Sequence, residues 1–140
     1  MTTTDNKAIV SRFVEAAQTR HDLSAIDEMM SVDFVDHSVP PGLPPDREGV
    51  KIQFAMFFDA LPDMHAVIHE QIAEGDKVMT RKSLCGTHQG ALFGVPPTHK
   101  PISIEVIDIL RVRDGKITDH WNLVDQLGLM RQLGIVPQAA

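Results

Sequence analysis

Ile102-Ser103-Ile104-Glu105-Val106-Ile107-Asp108-Ile109-Leu110-Arg111-Val112-Arg113, then Asp114-Gly115, then Lys116-Ile117-Thr118-Asp119-His120-Trp121-Asn122-Leu123-Val124, is the stretch that decides the fold. Ile102 to Arg113 reads as one long strand, and Ile117 to Val124 as another. Between them Arg113-Asp114-Gly115-Lys116 forms a turn, and Asp-Gly at its centre favours a tight hairpin. The two strands are therefore expected to be antiparallel neighbours. Asp108 stands out as a charge within the otherwise apolar run Ile104 to Leu110.

Working backwards, Met64 to Ala73 is β-like and meets a turn at Glu74-Gly75-Asp76, after which Lys77 to His88 alternates loosely as another strand. Gln89 to His99 contains Gly94-Val95-Pro96-Pro97 and reads as a loop. The first half has a different period. From Asp5 onward, Ile9, Val10, Phe13, Val14 and Ala17 recur at helical spacing. Asp22 caps a second, short helix with Leu23, Ile26, Met29 and Met30 on its apolar face. Val32 to His37 alternates briefly before Pro40-Pro41-Gly42-Leu43-Pro44-Pro45, which fits neither helix nor central strand. Asp46 then opens a third helix with the stripe Val50, Phe54, Phe57, Phe58 and Leu61, ended by Pro62-Asp63. After the last strand, Gln126 to Leu133 has helical spacing and stops at Gly134. Helices followed by a meander of strands predict an α+β fold, with residues 1–140 as one domain.

Composition narrows the function. The chain has 140 residues, 43% of them hydrophobic, a formal net charge of −6 and a pI near 5.5. Such an acidic chain lacks the field that holds a polyanion, so no nucleic acid partner is expected. The N-terminus carries no apolar segment of the signal-peptide kind, and no run approaches the roughly 18 apolar residues of a membrane span. Cys85, the single cysteine, makes no internal disulfide. These features predict a cytoplasmic protein with no membrane partner. His65 and His69 are four apart, but four strand residues span about 13 Å. No metal site is predicted.

Several phrases carry a resemblance: Phe34-Val35-Asp36-His37, Leu61-Pro62-Asp63, Ala73-Glu74-Gly75-Asp76, Gly86-Thr87-His88-Gln89-Gly90, Gly94-Val95-Pro96-Pro97-Thr98, Arg113-Asp114-Gly115-Lys116-Ile117, His120-Trp121 with Asp125, and Gln132-Leu133-Gly134. In this order they resemble the SnoaL-like polyketide cyclases, or ester cyclases, of the nuclear transport factor 2-like superfamily. The resemblance covers nearly the whole chain. It implies a cone-shaped fold, a cystatin-like roll, in which a curved antiparallel sheet and N-terminal helices enclose an apolar pocket. It implies a homodimer, an apolar or aromatic small-molecule substrate, no cofactor, and ring closure by intramolecular aldol condensation. One departure is His99, which stands after Pro96-Pro97-Thr98 where the family pattern has Gly.

The reaction asks for a base that removes a proton between carbonyls and an acid that protonates the aldol oxygen. The family's acid/base is matched to Asp125. On a regular strand Ile117, Asp119, Trp121, Leu123 and Asp125 share one face; if that face is concave, Trp121 walls the pocket and Asp125 sits beside the ligand. Asp125 also directly precedes a helix, and reads equally as its N-cap. His37 and His88 are further catalytic candidates, as donors to a developing oxyanion, although Asp36-His37 also reads as a structural pair fixing the loop. Trp121, His120, Asp108, Phe54 and Phe58 are the candidate substrate-binding residues. Asp108 is expected to pair with Arg111 or Arg81, an arrangement that keeps a hydrolase or isomerase open as an alternative. A non-catalytic small-molecule-binding dimeric domain is the third reading. The absence of Tyr excludes an enolate held by a tyrosine hydroxyl.

Overall fold

The computed structural model describes residues 2–135, so position 1 and positions 136–140 of the single-domain reading lie outside it. The elements run α1 (Thr3–Val14), α2 (Ser24–Met29), β1 (Met30–Asp36), α3 (Arg47–Ala60), β2 (His65–Glu74), β3 (Lys77–Thr87), β4 (Pro101–Arg113), β5 (Lys116–Val124) and α4 (Gln126–Leu133). Local chemistry sets most of their ends. Thr2 and Asp5 form a reciprocal capping box, which starts α1 at Thr3, two residues before the Asp5 start read from the sequence. Beyond Val14 the helix widens into a π turn, Glu15–Thr19, that buries Ala16, Ala17 and Gln18 together. Asp46 caps α3 through the Glu48 and Gly49 amides. A Cβ on Gly49 would lie 1.9 Å from the Pro44 carbonyl oxygen, so glycine lets the proline loop press onto this helix.

The five strands form one sheet in the order β1-β5-β4-β3-β2. β2 to β5 are an antiparallel meander, and the β4–β5 turn has Asp114 and Gly115 both at positive φ, as its sequence predicts. β1 differs: it joins the edge parallel to β5, with Asp36 opposite His120. A parallel partner requires a long return connection, and α3 to β4 supply it.

The concave face is apolar. Along β4, Ile102, Ile104, Val106, Leu110 and Val112 point inward with Asp108 among them. One core cluster joins this face to α1 and α2 through Ile9, Val10, Phe13 and Ile26. A second joins it to α4 through Leu129 and Leu133. Between the two clusters the sheet leaves a cavity.

β5 does not keep a single period. Arg111 faces Asp119 and Val112 faces Ile117, so Thr118 is an extra residue, a β-bulge. Before the bulge Ile117 points into the core; after it His120, Asn122 and Val124 do. The expected concave face of Ile117, Asp119, Trp121, Leu123 and Asp125 is therefore corrected. One inserted residue turns every later side chain over.

Candidate active site

The cavity has a volume of about 670 Å³. That size is ordinary for a small-molecule site. Its walls are Phe13, Met30, Phe34, Val50, Phe54 and Phe57 on one side and Leu84, Ile104, Val106, Leu110 and Leu129 on the other. Two loops frame it, Pro40 to Leu43 and Ala91 to Gly94. The second turns tightly at Phe93 and Gly94, both at positive φ, which leaves the Phe93 ring exposed against Phe57.

Four titratable side chains are among the described lining residues: Asp36, Lys82, Asp108 and His120. With Asn122 and Gln18 they make a polar stripe across the apolar wall. Strand pairing explains the order. Asp36 on β1 faces His120 on β5; Asn122 follows on the same face of β5 and faces Asp108 on β4. Asp108 Oδ2 then lies 2.8 Å from Lys82 Nζ on β3, and that ammonium donates to Gln18 Oε1 at 2.9 Å.

At the β1 end, His120 Nδ1 lies 3.0 Å from Asp36 Oδ1, which also accepts the Ser38 amide at 2.9 Å. Burial of Asp36 works to raise its pKa. The hydrogen bond and charge of His120, the Ser38 N–H and the charge of His37 outweigh that and hold it below the usual carboxylate value. An ionised Asp36 only accepts, so in the neutral form of the ring the proton is on Nδ1 and Nε2 carries the lone pair. Nε2 has no hydrogen-bond partner among the described residues. This is the geometry of an oriented general base.

Several sequence candidates lie elsewhere. Asp125 is exposed on the convex side, where its Oδ1 accepts from the Gly128 amide at 2.9 Å and caps α4. Its carboxylate fills the space that a Cβ on residue 128 would need. Trp121 is also on the convex side. His37 stacks on its indole with centroids 4.5 Å apart, and the Lys77 and Arg111 cations lie 5.4 and 5.3 Å from the ring. His37 Nε2 lies 2.8 Å from Asp119 Oδ2, so Asp36 and His37 pair with different partners on opposite faces. His88 is fully buried outside the cavity lining; its Nδ1 accepts the Thr98 amide at 3.1 Å and fixes the loop before β4.

Phe54 lines the cavity, whereas Phe58 stacks on His21 at 3.9 Å behind it. His120 and Asp108 do line it. Asp108 pairs with Lys82 rather than with Arg111 or Arg81, because both arginines have the parity of the convex face. Arg81 pairs with Glu70, and Arg111 reaches Asp76 and Asp119. Asp36, Lys82, Asn122 and Gln18 were not legible as site residues. Lys82 does alternate with Val78, Thr80 and Leu84, yet a lysine on a loosely alternating strand normally faces water.

Comparison with known proteins gives this arrangement a family. The model of the SnoaL-like polyketide cyclases matches residues 8–133. The chain belongs to that family. An aklanonic acid methyl ester cyclase, DnrD of Streptomyces peucetius, is 45% identical over 60 residues, which are 43% of this chain and 41% of that protein. The chain thus matches about two fifths of that curated relative's length. Among solved structures, AclR of Streptomyces galilaeus, described as a candidate hydroxylase, is 30% identical with a TM-score of 0.88, covering 99% of this chain and 91% of AclR. A candidate polyketide cyclase from Bacillus cereus is 35% identical with a TM-score of 0.81, over 96% and 83% of the two chains. This family member has the α+β scaffold of such proteins, and none of its described helices is long and apolar enough to cross a membrane.

Proposed function

We propose that the protein closes a ring by intramolecular aldol condensation of an enolisable dicarbonyl ester of the aromatic polyketide type, with His120 as acid/base and Asp36 as its positioning partner. The observation that supports this best is the His120–Asp36 pair at 3.0 Å inside the apolar cavity, with Nε2 unengaged. Nε2 takes the proton from the carbon between the carbonyls. The resulting enolate carbon attacks a second carbonyl carbon of the same molecule, forming the new C–C bond. The alkoxide then recovers the proton from the imidazolium. Asn122, the next inward residue on β5 and a lining residue of the cavity, donates its amide N–H to the enolate oxygen. Side chains alone carry every step, and the cavity contributes substrate folding and exclusion of water.

The test is turnover of aklanonic acid methyl ester by the intact protein and by His120→Gln and Asp36→Asn. Loss of about a hundredfold or more in both variants supports the assignment. Turnover that survives them, or that fails only in Asp125→Asn, removes it. Failure of the wild-type protein to turn over this or any related ester points to the binding-domain reading instead.

The same reading includes a homodimer formed sheet to sheet in the cytoplasm. Support comes from the convex face, where Leu123 is 81% and Ile107 44% exposed near Val67. Sedimentation of the wild-type protein and of Leu123→Lys tests it: a dimer that the substitution dissociates is expected.

A further inference from the structure

The cavity holds a second polar group besides the His120–Asp36 pair. Lys82 and Asp108 meet diagonally across β3 and β4 at 2.8 Å, with side chains only 4% and 5% exposed. Both are placed by the alternation of their strands, among Leu84, Ile104 and Val106. An ammonium carries three N–H donors. Lys82 spends two of them, on Asp108 Oδ2 and Gln18 Oε1. Asp108 Oδ1 is shielded from solvent and has no hydrogen-bond partner among the described residues. One N–H of Lys82 and the Oδ1 of Asp108 are therefore without a partner among the described residues, in a cavity whose walls are mostly apolar. Unmet groups of this kind are costly, and a ligand that satisfies both gains the difference.

The chemistry of that ligand group is narrow. A carboxylate would satisfy Lys82 and be repelled by Asp108. An ammonium would do the reverse. A ketone or ether accepts from Lys82 and leaves Oδ1 orphaned. A hydroxyl meets both needs with one atom, since it accepts through a lone pair and donates its proton. The flanking apolar walls favour a hydroxyl attached to a flat, unsaturated frame.

We propose that Lys82 and Asp108 form a hydroxyl-binding subsite, anchoring a phenolic or enolic O–H whose oxygen accepts from Nζ and whose proton goes to Oδ1. This deepens the proposed function only in taking the cavity as the substrate site. Binding, not turnover, tests it, so it stands or falls apart from the acid/base assignment.

The probes are 2-naphthol and 2-methoxynaphthalene, which share a frame and differ in the donor hydrogen. Titration calorimetry on the whole wild-type protein should show 2-naphthol binding about tenfold or more tightly, as expected for a hydrogen bond to a charged group. His120→Gln should keep that preference. The double variant Lys82→Met/Asp108→Leu replaces the buried pair with apolar groups of similar length, an exchange that cores tolerate. It should bind both probes equally while still unfolding cooperatively. Equal affinities in the wild type, failure of either probe to bind it, or a preference that persists in the double variant would overturn the proposal. If the double variant does not fold, the wild-type comparison decides alone.

Discussion

The end of β1 and the middle of β5 carry two histidine–aspartate pairs built from adjacent residues, Asp36 and His37 on one side and Asp119 and His120 on the other, one pair on each face of the sheet. Inside, His120 meets Asp36 at 3.0 Å; outside, His37 meets Asp119 at 2.8 Å. The chemistry of the partners is the same and the distances nearly so. Their surroundings differ. The inner pair opens onto an apolar cavity with Nε2 free. The outer His37 ring is covered by Trp121, and Asp119 is further engaged by Arg111 and Thr118. A pair of residues becomes a candidate for catalysis through what is left unengaged beside it, not through its own geometry.

The largest effect is expected from erasing the difference between the two faces. Deleting Thr118 alone would leave the faces as they are, whereas deleting Thr118 and Asp119 together would set His120 opposite Arg111 and so turn His120 and Asn122 outward and Trp121 inward. Ester turnover should fall below detection, and the melting temperature should drop by several degrees, as for any core rearrangement of a few kcal/mol. Wild-type turnover in the double-deletion variant would show that the parity of β5 does not set the site. Next come the pairs themselves. His120→Gln should cost roughly a hundredfold or more in kcat/KM, whereas His37→Gln should leave kcat/KM within about threefold because its ring is spent on packing. Equal losses in steady-state assays would dissolve the distinction drawn between the faces.

Acid should separate the pairs more gently. Burial tends to raise the pKa of both Asp36 and Asp119, yet their hydrogen bonds and nearby cations hold both below the ordinary carboxylate value. A carboxylate depressed on folding contributes its stability in full above its unfolded pKa, and loses it as pH falls through the folded value. Urea midpoints should thus hold steady above about pH 5 and fall below about pH 4. Asp36→Asn should flatten that fall; a profile as steep as that of the wild type would deny Asp36 this role. The smallest changes belong to residues remote from either pair. Asp125→Ala should lower stability by about 1 kcal/mol through loss of the α4 cap while sparing turnover. His99 occupies the left-handed region at φ 59, which glycine adopts without strain. His99→Gly should therefore raise stability by about 1 kcal/mol, read from denaturant midpoints.

Much of this was legible along the chain. The caps at Asp46 and Asp125, the Asp114-Gly115 hairpin and the strand alternation through β4 are local, and each was readable from a few residues. The inward placement of His120 and the pairing of Asp36 were not. Period-two counting from buried Ile117 selects Trp121 and Asp125, and Thr118 carries no sign that it is the extra residue. Lys82 was hidden for a different reason: a lysine faces inward only when Asp108 and Gln18, 26 and 64 positions away along the chain, meet it there.

The sequence by itself determined the elements, their order, the apolar concave wall and the family, because periodicity, capping and turn chemistry act between near neighbours. Tertiary structure decided which polar residues share the cavity. That choice depended on one bulge, on β1 joining parallel at the edge, and on a buried charge finding its counter-ion across strands, all contacts between distant parts of the chain.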